Sequence, residues 1–153
     1  MVQIMTNNFI SELLTSKQII LNKSICKIQF FESGDKLFCE DDIIKGCFLI
    51  KKGTINITKN TSSDEKITLF TLSSGDIAGE MAFGQIERHF TNAEVMEKTI
   101  TIFYEKTYLN EFLNSNIEIA LPVFMEIAKI MSYNMRQIDV NFKDFFMWSL
   151  NKL

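Results

Sequence analysis

Residues 75–90 have the sequence GDIAGEMAFGQIERHF, and this segment differs from the strand-like sequence on either side of it. Its glycines at 75, 79 and 84 disfavour both a regular strand and a long helix. The pattern predicts a sharp turn at Gly79 followed by a short helix from Glu80 to Phe83, whose first N–H groups lack helical acceptors. Free N–H groups at such a helix start favour a bound anion.

The sequence around this segment is organised in short runs with strand character. From Ser24 to about residue 106, apolar and polar residues alternate, and glycine or polar turns separate the runs at roughly 8–12-residue spacing. This spacing predicts a small antiparallel β-roll of the jelly-roll type, a double-stranded β-helix. CFLIKKGTINITKN, residues 47–60, is predicted to form a tight hairpin in which Gly53 supplies a positive φ.

Helical patterns stand at both ends of the chain. Apolar positions in the first twenty-odd residues predict one or two short amphipathic helices, and a helical pattern returns at Thr107, with a second, longer helix starting near Ile117. The predicted fold class is therefore α+β. We expect one domain, with an N-terminal helical segment (1–23), the β-roll (24–106) and C-terminal helices (107–153).

The last predicted helix carries a stripe of residues spaced by three and four. The stripe comprises Phe124, Ile127, Met131, Asn134, Ile138, Asn141, Phe145 and Trp148. Packing on the roll explains part of it. We favour a homodimer through this helix, because the helix is longer than a small roll can cover and two asparagines resemble polar positions that set coiled-coil register. The aromatic end FKDFFMWSLNKL also suits docking on a protein partner.

Composition excludes several function classes. The net charge is −3 with scattered Lys and Arg, which argues against nucleic acid as a direct partner. Three cysteines without CxxC spacing indicate reduced thiols in a cytoplasmic protein, and no signal peptide or membrane span is evident. A single histidine excludes a multi-histidine metal centre and the usual nucleophilic triads, and three cysteines are too few for an iron–sulfur cluster. We expect no enzymatic activity and no metal.

The residue types in segment 75–90 suggest a nucleotide. Arg88 can present a planar, bidentate fork to phosphate oxygens, and Glu80 can accept a hydrogen bond from a ribose hydroxyl. Together with free backbone amides they would hold a sugar and a phosphate close together. The alternative is that Glu80 and Arg88 form a surface ion pair on a glycine-rich turn, which would contribute little.

Several motifs together resemble the cyclic nucleotide-binding domain family, which includes the catabolite activator protein and the regulatory subunits of cyclic-AMP-dependent protein kinase. The motifs are FFESGDKLFCEDD, CFLIKKGTINIT and LSSGDIAGEMA, followed by an arginine. The resemblance covers about residues 10 to 140. It implies that LSSGDIAGEMA opens a phosphate-binding cassette, residues 75–90, inside the roll.

The resemblance also implies roles for individual residues. Gly79 and Glu80 would contact the ribose, with Glu80 on the 2′-hydroxyl. Backbone amides at Met81, Ala82 and Phe83 would surround the cyclic phosphate. Arg88 would pair with the exocyclic oxygens, and Asn134 on the last helix would contact the base. His89 would either donate to the phosphate or crowd it.

Three positions depart from the family pattern. The run from Glu80 to Arg88 is a residue or two shorter than usual, His89 replaces a small residue, and Asp41 or Asp42 stands where glycine is common. The chain ends at Leu153, before a winged helix-turn-helix could begin. The sequence thus predicts a sensor for a cyclic purine nucleotide that signals through its last helix. Cyclic AMP is the expected ligand, and cyclic GMP stays open because one asparagine can address either base. The alternative is a ligand-free adaptor for dimerisation or partner docking.

Overall fold

The computed structural model describes residues 11, 12, 14, 15, 25–61 and 65–150, with the side chains of the last seven left out. The predicted N-terminal helices lie mostly outside these residues. So do the side chains of Phe145, Phe146 and Trp148, on which the prediction of an aromatic docking end depends. Of the N-terminal segment, Leu14 is fully buried, and its carbonyl accepts a 3.0 Å hydrogen bond from the Tyr104 hydroxyl.

Between Cys26 and Leu150 the described residues form eight strands, a 3-10 helix and two α-helices. The strands are β1 (Cys26–Phe31), β2 (Lys36–Phe38), β3 (Gly46–Lys52), β4 (Ile55–Asn60), β5 (Lys66–Leu72), β6 (Ile77–Ala78), β7 (Asn92–Val95) and β8 (Thr99–Glu105). The 3-10 helix is Glu80–Phe83, and the α-helices are α1 (Lys106–Ser115) and α2 (Ile117–Leu150).

The strands build two antiparallel four-stranded sheets, in the orders β1-β8-β3-β6 and β2-β7-β4-β5. From β1 to β4 the chain changes sheet at every strand, β4 and β5 lie side by side in the second sheet, and from β5 to β8 the chain again changes sheet at every strand. This arrangement is the jelly-roll order, and it confirms the predicted α+β fold with its β-roll and long C-terminal helix.

The predicted hairpin between β3 and β4 is wrong. β3 pairs with β6 and β8 in one sheet, whereas β4 pairs with β5 and β7 in the other. Gly53 does have a positive φ of 107°, as expected, but it turns the chain from one sheet to the other. A Cβ on Gly53 would lie 2.1 Å from Thr99 Oγ1 and 2.8 Å from Thr99 Cα, so the two sheets close tightly at this corner.

The core has two layers, one on each face of the first sheet. On the face toward the second sheet, Phe48 and Ile50 of β3 join apolar residues of β2, β4 and β7. On the opposite face, Cys47 and Leu49 pack with β8, α1 and α2. Because successive side chains of a strand point to opposite faces, the uninterrupted apolar run of β3 indicates a strand buried on both sides.

Helix α2 has two different faces, each with the three-and-four spacing of a heptad. The face toward the roll is buried or half-buried and comprises Ala120, Val123, Ile127, Ile130, Asn134, Gln137 and Asn141. The other face is exposed and comprises Ile117, Leu121, Phe124, Ala128, Met131, Met135, Ile138 and Phe142. The stripe predicted from sequence mixes members of the two faces.

The two asparagines of the predicted stripe make bonds within the chain. Asn134 donates to Glu80, and Asn141 donates to the main-chain carbonyl of Leu69. Leu69 lies on the edge strand β5, at a register shift where it has no Cα partner on β4. Both asparagines therefore hold α2 on its own roll and do not set the register of a dimer seam. Among the described helices, none combines the length and the apolar character needed to span a membrane.

Candidate functional site

Segment 75–90 forms the turn and short helix that its sequence predicts. β6 ends at Ala78, Gly79 adopts the left-handed conformation with φ 77°, and the 3-10 helix Glu80–Phe83 follows. A Cβ on Gly79 would lie 3.3 Å from the carbonyl oxygen of Gly46 and 3.4 Å from the His89 ring. Glycine is favoured here because the backbone needs a positive φ beside close neighbours.

The first predicted site residue, Glu80, faces helix α2. Its Oε1 accepts a 3.0 Å hydrogen bond from Asn134 Nδ2, and Asn134 is only 7% exposed. Burial raises the pKa of the Glu80 carboxyl, while a backbone hydrogen bond and the Asn134 bond act in the opposite direction. The residue predicted to bind the ribose and the residue predicted to bind the base are therefore hydrogen-bonded to each other.

The next three site residues hold the 3-10 helix against the helical layer. Ala82 is buried among the residues of that layer, and Met81 and Phe83 pack on it. The Phe83 ring meets Phe124 of α2 edge-on, with 6.2 Å between ring centroids. The Ala82 N–H donates to the Gly79 carbonyl at 3.0 Å, so this amide, expected to surround a phosphate, is already bonded in the 3-10 turn.

Arg88 lies away from Glu80. It is exposed, and its Nη1 donates to the main-chain carbonyl of Asp41 at 2.5 Å. Residues 87–89 run antiparallel to residues 41–44 through three further main-chain hydrogen bonds of 2.8–3.0 Å. The structure thus does not contain the Glu80–Arg88 surface ion pair that the sequence left open as an alternative. Asp41, one of the positions that departs from the family pattern, has a φ of 67°, which is unusual for a residue other than glycine.

His89 points into the roll. It is 5% exposed, and its ring stacks on Phe38 with 3.6 Å between centroids and an interplanar angle of 6°. Burial lowers the pKa of His89, and the nearby Asp42 carboxylate opposes that shift. A side chain of this size beside Gly79 occupies space that a serine or alanine would leave open.

A cleft of about 930 Å³ opens beside Arg88 and His89. The described residues that line it are Ile28, Gln29, Phe30, Phe31, Leu37, Phe38, Asp41, Asp42, Ile43, Lys45, Gly46, Phe48, Arg88, His89 and Phe103. None of Gly79, Glu80, Met81, Ala82, Phe83 or Asn134 is among them. The structure therefore divides the predicted site residues into two groups, one at the α2 contact and one at this cleft.

Sequence reasoning missed most of the cleft. The alternation in β1 places Gln29 and Phe31 on one face, which is a usable signal, but Lys45 and Phe103 come from segments far apart in sequence. Among the residues that the structure describes, no three His, Cys, Asp or Glu side chains are grouped so that they could hold a metal ion.

Comparison with known proteins is consistent with this architecture. The family profile of the cyclic nucleotide-binding domain matches residues 28–116. The anaerobic regulatory protein of Bacillus subtilis (strain 168) is 29% identical over 138 residues, which are 90% of this chain and 56% of that protein. The chain thus spans a little over half of the length of this curated relative.

Solved structures show the same fold at low identity. A cyclic nucleotide-binding domain from Methylobacillus flagellatus superposes with a TM-score of 0.72 at 17% identity, covering 79% of this chain and 68% of that one. The Thermus thermophilus catabolite activator protein superposes with a TM-score of 0.68 at 16% identity, covering 87% and 62%. Because the family profile spans more than half of the chain, the chain belongs to the cyclic nucleotide-binding domain family.

Proposed function

We propose that this domain is a non-enzymatic regulatory module that binds a cyclic purine nucleotide, cyclic AMP in preference to cyclic GMP, at segment 75–90. The observation that carries the proposal is the hydrogen bond between Glu80 and Asn134. It joins the acid suited to a ribose hydroxyl directly to the helix that would transmit the signal. The thiols of Cys39 and Cys47, which form no disulfide, support a cytoplasmic location.

The signal would arise from competition for the Glu80 carboxylate. A ribose hydroxyl that donates to Glu80 takes the place of the Asn134 amide or shares the carboxylate with it. Asn134 is then free to turn its amide donor and acceptor toward a purine edge. Since Asn134 is part of α2, a ligand that favours one arrangement of this pair shifts the population of helix positions.

Arg88 must change partner to reach a phosphate at the 3-10 helix. It is exposed and gives the Asp41 carbonyl a single recorded hydrogen bond, so only that bond has to be broken. Two charge-assisted hydrogen bonds to phosphate oxygens, at about 1.5–3 kcal/mol each, would more than replace it. The run between Glu80 and Arg88 is short, so the ligand would also have to draw the 3-10 helix and the segment around Arg88 together.

The exposed face of α2 supports a homodimer. Its eight apolar positions continue for more than three heptads, and Met135 is 75% exposed while Phe142 is 65% exposed. A helix of 34 residues is about 51 Å long, more than the 3-10 helix and β5 cover.

Met135→Lys would place a charge in the exposed apolar face of α2. We expect it to convert a dimer to a monomer in sedimentation, and a wild-type monomer at about 100 µM would refute the dimer.

Calorimetry tests the proposed ligand. Cyclic AMP should bind with about micromolar affinity, more tightly than cyclic GMP or linear AMP. Arg88→Ala should weaken cyclic AMP binding about tenfold or more, whereas Arg136→Ala, which removes an exposed arginine of α2, should leave it unchanged. If none of the three nucleotides binds at about 100 µM, the sensor proposal is refuted.

One observation favours the second candidate, a ligand-free adaptor. His89 fills the space beside Gly79 by stacking on Phe38, and Arg88 is directed away from the 3-10 helix. An adaptor needs neither residue to move. His89→Ser distinguishes the two functions. If cyclic AMP binds to this variant and not to the wild type, His89 blocks the site and the wild type is an adaptor.

A further inference from the structure

The cleft beside Arg88 lies at the open edge of the roll, between the edge strands β1 and β2. Its volume of about 930 Å³ falls within the range of small-molecule sites, roughly 300–1,000 Å³. It shares no lining residue with the contact between Glu80 and Asn134, but Arg88 and His89 line it. A ligand here would therefore lie apart from the ribose and the base of the nucleotide proposed above and would compete with its phosphate for Arg88.

Aromatic rings form the inner wall of the cleft. His89 stacks on Phe38 at 3.6 Å, Phe38 lies 6.3 Å from Phe48, and Phe48 lies 4.9 Å from Phe103. Because burial lowers its pKa, His89 contributes a neutral ring to this wall at pH 7. Such a wall favours a flat, apolar ligand that can stack on it or meet its ring edges.

One large apolar side chain stands at the mouth of the cleft. Ile43 lines the cleft and is 61% exposed, which is costly for a side chain of this size. Ile28 and Phe30 of β1 also border the cleft, but they pair with Ile102 and Ile100 of β8, so their side chains lie on the face of the sheet opposite the aromatic wall. A bound ring would remove Ile43 from water together with the inner wall.

Two cationic groups line the same cleft. The Arg88 guanidinium uses one recorded N–H on the Asp41 carbonyl, out of the five that it carries. Lys45 is exposed, and its ammonium has no ion-pair partner among the described residues. These two groups can bind a carboxylate, with Arg88 supplying a planar fork.

Two acidic residues limit the charge of the ligand. Asp41 and Asp42 line the cleft as well, and Asp42 Oδ2 accepts a 2.7 Å hydrogen bond from the Cys39 N–H. Two carboxylates beside two cations leave no net positive charge for a dianion such as a phosphate monoester. A single carboxylate placed on Arg88 can avoid them.

We propose that this cleft is a second ligand site, specific for a planar aromatic monocarboxylate. The ring lies against the wall formed by Phe38, Phe48 and Phe103, and the carboxylate accepts hydrogen bonds from Arg88. Lys45 lies at the rim and adds attraction without fixing the geometry.

Nuclear magnetic resonance of the full chain tests the location, with naphthalene-2-carboxylate as the probe. Gly46 lines the cleft at the start of β3, whereas Gly53 follows the other end of this strand, about 23 Å away. The amide resonance of Gly46 should shift on titration, and those of Gly53 and Gly75 should not. An unshifted Gly46 resonance, or equal shifts of all three glycines, would overturn the proposal.

The neutral naphthalene-2-carboxamide tests the charge. The carboxylate should bind about tenfold more tightly than the carboxamide, and Arg88→Gln should remove this preference. Arg136→Gln is the matched control and should keep it. Equal affinity of the two probes for the wild type refutes the role of Arg88.

A second variant separates loss of the site from loss of the fold. Ile43→Ser changes a residue that is already 61% exposed and that pairs through its main chain with Arg88, so the variant should fold, and it should bind both probes several-fold more weakly. Unchanged binding by a folded Ile43→Ser protein contradicts the proposed aromatic site. The ligand of this cleft needs no bound nucleotide, so a failure of cyclic AMP to bind would leave these results unaffected. The two proposed sites have Arg88 and His89 in common, so cyclic AMP, where it binds, should compete with the carboxylate for Arg88.

Discussion

The hydrogen bond between Asn134 and Glu80 leads to a prediction about how firmly α2 is held. Asn134→Ala removes the amide that donates to Glu80 Oε1 across 3.0 Å, and it leaves the backbone of the helix intact. The bond joins residues 54 positions apart in sequence and is one of two side-chain bonds described between α2 and the roll, the other being that of Asn141. Its loss should therefore weaken the docking of the helix.

The size of the effect follows from burial and charge. A hydrogen bond to a charged group contributes about 1.5–3 kcal/mol to stability. The loss lies toward the upper end of this range when the charged group is buried and is left without a partner. Asn134 is 7% exposed and Glu80 is mostly buried, so water replaces the lost amide poorly. We expect Asn134→Ala to lower the free energy of unfolding by about 2 kcal/mol, which corresponds to a decrease in Tm of about 4–8 °C.

Urea unfolding of a double-mutant cycle measures this bond directly. The cycle compares wild type, Asn134→Ala, Glu80→Ala and the double variant, and the coupling free energy should be about 1.5 kcal/mol or more. Asn114→Ala, at an exposed position of α1, is the control and should change stability by no more than about 0.5 kcal/mol. A coupling near zero would show that the two side chains are not bonded in solution, and the signalling route proposed through them would fail with it.

Three further predictions concern other parts of the fold. Burial raises the pKa of Glu80, so the folded state binds more protons than the unfolded state, and the free energy of unfolding of the wild type decreases as pH rises above the usual glutamate range. Glu80→Gln removes this decrease. In urea unfolding between about pH 4 and 8, the variant should therefore gain stability relative to the wild type as pH rises. Asp41→Gly should raise stability by about 1 kcal/mol in thermal unfolding, because glycine adopts the φ of 67° without strain and the carbonyl that Arg88 uses remains; a loss of stability would contradict this. Gly46→Ala should cost about 3 kcal/mol or more in urea, because the new Cβ would lie 2.0 Å from the Tyr104 carbonyl oxygen, and a neutral change would mean that β3 can shift away from β8.

The sequence by itself determined the local structure and the family. Alternation of apolar residues predicted the strands of the roll, because a strand exposes alternate side chains to opposite faces. Gly79 followed by Glu80 to Phe83 predicted a left-handed turn and a short helix, because few residues other than glycine tolerate that φ. The structure confirms both, since these features depend on neighbouring residues in the chain.

Only the tertiary structure decided which elements meet. The two strands around Gly53 look like a hairpin in sequence, but β3 pairs with β6 and β8 in one sheet and β4 pairs with β5 and β7 in the other. Asn134 and Asn141 share a spacing with the exposed seam, and only their partners, Glu80 and the Leu69 carbonyl, show that they face the roll.

The direction of Arg88 depends on the tertiary structure for the same reason. Its main chain pairs with residues 41–44, and this pairing sets the orientation of a side chain that the sequence placed beside Glu80. A periodic pattern records that a face is buried or polar and carries no information on what covers it. That information lies in contacts between residues that are distant in the chain, and the packing of the two sheets and α2 supplies it.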